Sequence, residues 1–251
     1  MSQVLETSQT QTFPQHQTEI YYPSSTDNDE ITYPEQREDD MGETSIHIKL
    51  ITKFLWTLLL FFREREDVFL SGNMNLYYEE KNPNKWYAPD LLIAFGVPNH
   101  ERSSYQVWKE KVFPQVIIEV ASDKTWDNDI GKKYKDYEHF GAEEYYILDP
   151  EFDFLPAPML AFHRQGERLL SVSVNDDRIF SPRLGLEIVR TENNFRLFNP
   201  STNEFLRTLQ EYEDQRQATE EQKQAAELRA RNAEAELERL KEEIERLKAG
   251  K

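Results

Sequence analysis

Glu119 is the residue in this sequence with the least ordinary structural use. It interrupts an otherwise apolar run, Val116-Ile117-Ile118-Glu119-Val120, which reads as a strand buried on both faces. Alternation along such a strand puts Val116, Ile118 and Val120 on one face and Ile117, Glu119 and Ala121 on the other. A buried, unpaired charge costs several kcal/mol, so Glu119 needs a basic partner, a proton or a metal ion. Earlier in the chain, Pro89-Asp90 opens a second apolar run, Leu91–Phe95. Two carboxylates on neighbouring strands, Asp90 and Glu119, are hard oxygen ligands suited to Mg2+ (or Mn2+), an ion that keeps water in its remaining positions.

The following segment supplies a cation. A helix is expected from about Trp126 to Phe140, closed by Gly141 where a left-handed cap is favoured. With Ile130, Tyr134 and Tyr137 as its buried stripe, Lys133 lies about 40° from Tyr137 at about 100° per residue, whereas Lys132 and Lys135 point broadly away. Asp129 precedes Lys133 by one turn. The two are either an orienting pair beside the carboxylates or a surface ion pair of little consequence. Together Asp, Glu and Lys have one job that none has alone: metal-assisted hydrolysis of a phosphodiester, with the lysine positioning water or stabilising developing charge.

These side chains must be positioned by a core, and the pattern around them describes it. Ile46, Leu50, Phe54, Leu58 and Phe61 recur at helical spacing, predicting an amphipathic to fully buried helix from Glu43 to Phe62. Val68–Ser71 and Leu76–Tyr78, separated by Gly72-Asn73, read as a hairpin or bulged pair. Tyr145–Leu148, stopped by Asp149-Pro150, reads as another buried strand. Residues 160–200 read as antiparallel ribbon with turns at Gln165-Gly166-Glu167 and Asn175-Asp176-Asp177. The order predicts an α/β fold, a mixed central β-sheet flanked by helices.

Two flanking segments differ in composition. Residues 1–42 carry one Arg against nine acids and are rich in Gln, Thr, Ser and Pro, so residues 1–40 are read as a disordered acidic and polar leader. The second segment, residues 211–251, has no Gly or Pro before Gly250. Its Ala226, Ala230, Ala233, Leu237, Leu240, Ile244 and Leu247 alternate spacings of four and three, a coiled-coil heptad seam. It serves either to make a homo-oligomer or as a long solvated helix docked on its own domain.

Composition removes several function classes. With no cysteine among 251 residues there are no disulfides, thiolate zinc sites or cysteine nucleophiles. His16, His47, His100, His139 and His163 show no metal-binding spacing. The longest apolar run, Phe54 to Phe62, has nine residues against the roughly 20 of a membrane span. Residues 1 to 30 lack a secretory apolar run, so a cytoplasmic protein without a membrane partner is expected. The net charge of −17 counts against a non-specific nucleic-acid coat. Lys81, Lys85, Lys109, Lys111, Lys124, Lys132 and Lys135 cluster around the candidate elements and could contact phosphates locally, although acids are interleaved among them. Trp86, Trp108 and Trp126 flank the same elements, as base-stacking or as packing residues.

Several segments, in order and with matching spacing, resemble the Uma-two family of restriction-endonuclease-like proteins within the PD-(D/E)XK nuclease superfamily. They are Glu43-Thr44-Ser45-Ile46-His47, Tyr87-Ala88-Pro89-Asp90, Phe113 to Ser122, Asp129 to Tyr137 and Gly141 to Pro150. The resemblance spans about residues 40 to 210 and implies a restriction-endonuclease-like domain over 41–210 in which Asp90 and Glu119 bind catalytic Mg2+. The superfamily's usual lysine position, two residues after the acid, holds Ala121 here. The resemblance implies that the lysine comes instead from the next helix, in a frame that aligns Asp129, Lys133, Tyr137 and Gly141. It also matches Glu43 to an acid often added from the first helix, although a helix-terminal carboxylate explains Glu43 equally well. His47 matches a family position too, and a core or supporting role suits it better than that of a base.

The expected function is therefore that of a metal-dependent endonuclease acting on DNA, with a coiled-coil tail making a homodimer. The alternative is a non-catalytic nuclease-fold module that serves as an oligomeric scaffold.

Overall fold

The computed structural model describes residues 45–192 and 194–249. The leader 1–40 and Glu43 lie outside the described residues. Helix α1 (Ser45–Phe61) comes first, followed by strands β1 (Val68–Ser71), β2 (Leu76–Tyr77), β3 (Trp86–Tyr87), β4 (Leu91–Phe95) and β5 (Tyr105–Gln106). A short helix α2 (Val107–Glu110) leads to β6 (Val116–Val120). Next come α3 (Trp126–Asn128), a π-helical turn (Asp129–Lys133), α4 (Tyr134–Phe140), β7 (Glu144–Leu148), β8 (Met159–Gln165) and β9 (Arg168–Ser171). Strands β10 (Arg178–Ser181), β11 (Leu186–Thr191), β12 (Asn194–Asn199) and β13 (Glu204–Phe205) precede the long helix α5 (Leu209–Ala249).

The architecture is the predicted mixed α/β fold. Its central sheet runs β1-β4-β6-β7-β8-β9, parallel between β6 and β7 and antiparallel elsewhere. The helical segment 126–140 supplies the crossover that a parallel pair requires. Each face of this sheet buries its own core. Val116, Ile118 and Val120 face Leu50, Phe54 and Leu58 of α1 and Ile188, Phe195 and Leu197 of the β10–β13 sheet. Ile117 and Ala121 face the opposite way, into an aromatic core with Tyr137, Tyr145 and Leu92. Alternation in β6 is thus as the sequence reads, and Glu119 belongs to the aromatic side.

Several local expectations are corrected. Strands β1 and β2 do not pair with each other: β1 pairs with β4, while β2 lies between β3 and β5 in a separate three-stranded sheet. Gly72 between them serves close approach instead, since a Cβ there would lie 3.2 Å from the Asp90 carbonyl oxygen. The ribbon over 160–200 is divided, with β8 and β9 in the central sheet and β10 opening a four-stranded one. In α1 the ends of the predicted stripe face solvent, Ile46 at 40% and Phe61 at 37% exposure, while His47 and Phe62 turn inward. The expected helix from Trp126 carries a π-turn, which brings Asp129 and Lys133 inward together and leaves Ile130 38% exposed. Gly141 caps its end with φ +99°, as expected of a left-handed terminus.

Helix α5 has none of its residues buried. Among the described residues it is not docked on its own domain, and the side-chain ties to the body lie in its first turns. Thr208 and Glu211 form a reciprocal cap there: the Glu211 N–H donates to Thr208 Oγ1 at 3.2 Å and the Thr208 N–H to Glu211 Oε2 at 2.8 Å. Arg196 Nη2 adds an ion pair to Glu211 at 2.9 Å. Among the described residues no helix is long and apolar enough to cross a membrane.

Candidate active site

Antiparallel pairing of β4 and β6 sets Leu91 opposite Ile118, and the same register brings Asp90 beside Glu119. The two carboxylates are tied together through the backbone. The Asp90 N–H donates to Glu119 Oε2 at 3.2 Å, and the Val120 N–H donates to Asp90 Oδ2 at 2.6 Å. From α1, His47 Nε2 approaches Asp90 Oδ2 to 3.1 Å. This histidine supports Asp90, the role expected of it, and Asp90 is the partner that the sequence does not reveal.

The crossover segment closes the other side. Lys133 Nζ lies 3.0 Å from Glu119 Oε1 and 2.8 Å from Asp129 Oδ1, so one ammonium bridges two carboxylates. Tyr137 OH donates to Glu119 Oε1 at 2.9 Å. Its ring is wedged edge-on between Tyr87 and Tyr145, with centroids 5.4 and 5.2 Å away. Tyr145 OH in turn donates to the Asp129 carbonyl at 3.1 Å, which anchors the π-turn to β7. The reading of Asp129 and Lys133 as a surface ion pair is thereby excluded.

Lys132 does not point away from everything. It donates to Tyr87 OH and lies 3.2 Å from Asp136 Oδ2, and Tyr87 OH itself donates to Asp136. Sequence reasoning missed this network and the Tyr137 bond to Glu119, although the Asp-Lys-Tyr frame was the available signal for the latter. The seven lysines expected near the site are all exposed. Trp126 packs on the aromatic core, and Trp86 and Trp108 are partly buried.

Burial governs the electrostatics. Glu119 and Asp129 are each 1% exposed, against 6% for Asp90 and 9% for Lys133, so the cluster is reached from the Asp90 and Lys133 side. Burial pushes the Glu119 carboxyl up to about 8; Lys133 opposes the shift, and the charges of Asp129 and Asp90 add to it. Burial likewise raises Asp129 against the pull of Lys133. Burial acts to lower Lys133, but Glu119 and Asp129 outweigh it and keep the ammonium charged. Tyr137 is raised well above its ordinary value by burial and by Glu119, so it remains a hydrogen-bond donor.

Among the described residues no three His, Asp or Glu side chains close around a single point as a metal cage. The donors nevertheless fit a hard divalent cation. Asp90 and Glu119 offer carboxylate oxygens from one face of two neighbouring strands, and of the three buried carboxyls, Glu119 and Asp129 share the Lys133 ammonium while Asp90 pairs with His47. Burial is the main cause of the raised Glu119 carboxyl and the charges of Asp129 and Asp90 add to it; a divalent cation would offset this buried acid.

The model of the Uma2 family, described as "Putative restriction endonuclease", matches residues 35–190, more than half of the chain. The chain belongs to the Uma2 family. Its mixed sheet and flanking helices are consistent with a PD-(D/E)XK-like fold. Among solved structures, it is similar to the crystal structure of a "putative nuclease belonging to DUF820" from Anabaena variabilis. The identity is 10% and the TM-score 0.42, over 57% of this chain and 75% of that one. No curated protein matches.

Proposed function

We propose that this Uma2 protein is a divalent-metal-dependent endonuclease that hydrolyses DNA phosphodiester bonds. The observation that carries the reading is the contact of Asp90, Glu119 and Lys133 at the ends of two central strands, in a chain of a family described as restriction endonucleases. Asp90 and Glu119 would hold Mg2+ or Mn2+, which when bound polarises the phosphodiester and lowers the pKa of water. Val120 N–H and His47 orient the Asp90 carboxylate, and Tyr137 holds Glu119. Lys133 is kept protonated by its acidic neighbours and supplies positive charge where charge develops on the phosphate. Glu43 belongs to the same proposed site, as an additional acid from the segment before α1.

Acting on DNA requires local positive charge in an acidic protein. Lys132, whose side chain is 65% exposed, stands next to Lys133, and Lys81, Lys85, Lys109, Lys111, Lys124 and Lys135 are exposed as well. The same reading includes a homodimer formed through the heptads of α5 and a cytoplasmic location.

The test is plasmid cleavage by the full chain in Mg2+ or Mn2+, alongside Asp90→Ala and Lys133→Ala variants whose folding is checked by circular dichroism. Cleavage by the parent and loss of at least about a hundredfold in both variants is the expected result. Equal cleavage by all three, or none by any, overturns the assignment. One observation favours a non-catalytic nuclease-fold scaffold: Lys133 already caps a nearly closed cluster. Calorimetric titration separates the readings, since a folded protein that takes up neither Mg2+ nor Mn2+ is a scaffold.

A further inference from the structure

Helix α5 presents a complete set of coiled-coil positions to solvent. Numbering the heptad from its apolar seam puts Leu209, Arg216, Lys223, Ala230, Leu237 and Ile244 at a, and Tyr212, Thr219, Ala226, Ala233, Leu240 and Leu247 at d. The last apolar layers are unpartnered: Leu237, Leu240, Ile244 and Leu247 are 53, 52, 50 and 70% exposed. Among the described residues nothing buries them, since no residue of α5 is buried.

The flanking charges say what covers this seam. In a parallel, in-register pair each g position faces the e position of the next heptad in the other helix. The facing pairs are then Arg229 with Glu234, Glu236 with Lys241, and Glu243 with Lys248, all of opposite charge. Nearer the body, Gln215 faces Glu220 and Gln222 faces Glu227, with no like charges opposed. An antiparallel pair matches g with g and e with e. Any such register that sets the Leu237–Leu247 layers of two copies against each other opposes Glu236 or Glu243 to another glutamate, or Lys241 to another lysine. Ile at a with Leu at d, as in Ile244 and Leu247, favours two strands over three or four.

We infer that α5 pairs with α5 of a second copy as a parallel, in-register, two-stranded coiled coil, which carries two catalytic bodies at the same end. This rests on the homodimer reading above and adds its orientation and register. Arg216 and Lys223 at a positions set like charges against each other near the body, so pairing is concentrated in the distal half. The whole helix is about 60 Å long, and its side-chain ties to the body, among the described residues, lie in its first turns.

The chain lacks cysteine, so orientation can be read by single-cysteine cross-linking of the full-length protein. Leu237→Cys and Leu247→Cys variants, each oxidised alone with oxidised glutathione, are both expected to form disulfide-linked dimers. Sedimentation of the unmodified protein is run beside them. A dimer in which neither variant links to itself, but a mixture of the two links 237 to 247, overturns the parallel arrangement and leaves the homodimer standing. A monomer removes the homodimer reading and the inference with it, and a trimer or tetramer overturns the two-stranded pairing. As a second measurement, Glu243→Lys is expected to weaken association about five- to tenfold, and Glu243→Lys with Lys248→Glu to restore it. Failure of the double variant to recover overturns the register.

Discussion

Lys133 Nζ lies 3.0 Å from Glu119 Oε1, and the two residues come from elements on different layers of the fold, a π-turn and a central strand. The ammonium neutralises an acid that the strand could not otherwise bury, and Asp129 shares it at 2.8 Å. Removing the lysine therefore leaves more than one buried carboxyl without a counter-charge. Lys133→Ala is expected to lower stability by about 3–5 kcal/mol near pH 8 and by less near pH 5, where the carboxyls take up protons instead. Urea denaturation at the two pH values checks this, and equal losses at both would contradict it.

Glu119 also makes stability depend on pH. Its folded pKa, about 8, is above the ordinary value of 4.5, so the folded protein binds more protons than the unfolded chain between those values. Stability from this group is fully present below about 4.5 and is lost as pH rises through about 8, a change on the order of a few kcal/mol. Glu119→Gln keeps the side chain neutral and should flatten the thermal melting temperature across pH 5–9. A variant with the parent's slope would assign the effect elsewhere.

Metal binding has the opposite sign on the same axis. The cluster must release a carboxyl proton to take a divalent cation, so Mg2+ is expected to stabilise the protein more at pH 8.5 than at pH 6. At a concentration about 100 times Kd the gain is about 2.7 kcal/mol. Asp90→Asn should abolish it. Scanning calorimetry with and without Mg2+ measures both, and a melting temperature unchanged by Mg2+ at pH 8.5 would count against a metal centre.

Tyr137 offers a milder perturbation. Its hydroxyl bond to Glu119 is buried, and Tyr137→Phe keeps the ring between Tyr87 and Tyr145. A loss of about 1–2 kcal/mol is expected, together with a further rise in the Glu119 pKa as the carboxylate loses a donor. A pH series of denaturation curves reports both quantities.

Helix α5 should be dispensable for folding of the body. A chain ending at Gln217 keeps the Thr208 cap and the Arg196–Glu211 pair and removes only exposed helix. Its melting temperature is expected to stay within a few degrees of the parent's at low protein concentration. A large drop would mean that the distal helix contributes to the body's own stability.

The apolar run around Glu119, the carboxylate at Asp90 and the glycine after Phe140 are local signals, and they determined the central strands, their faces and the end of the crossover helix. Burial on both faces leaves a hydrophobic run, alternation fixes the side of each residue, and a left-handed cap selects glycine. Heptad spacing in α5 is equally local and marked the seam that the fold leaves bare.

What the sequence could not contain is decided by packing between distant segments. A regular helical wheel buries Ile130, yet the structure exposes it, because the π-turn accommodates Asp129 and Lys133 on the inner side together, beside Glu119. The same holds for β1, which pairs with β4 across intervening loops instead of with its neighbour β2, and for His47, whose partner Asp90 lies in another element. Strand pairing and ion pairing of this kind depend on which surfaces meet once the core has formed. Period and propensity carry no record of that choice, so the carboxylates and the lysine could be picked out one by one from sequence, but the buried bridge joining Asp129, Lys133 and Glu119 exists only in the tertiary structure.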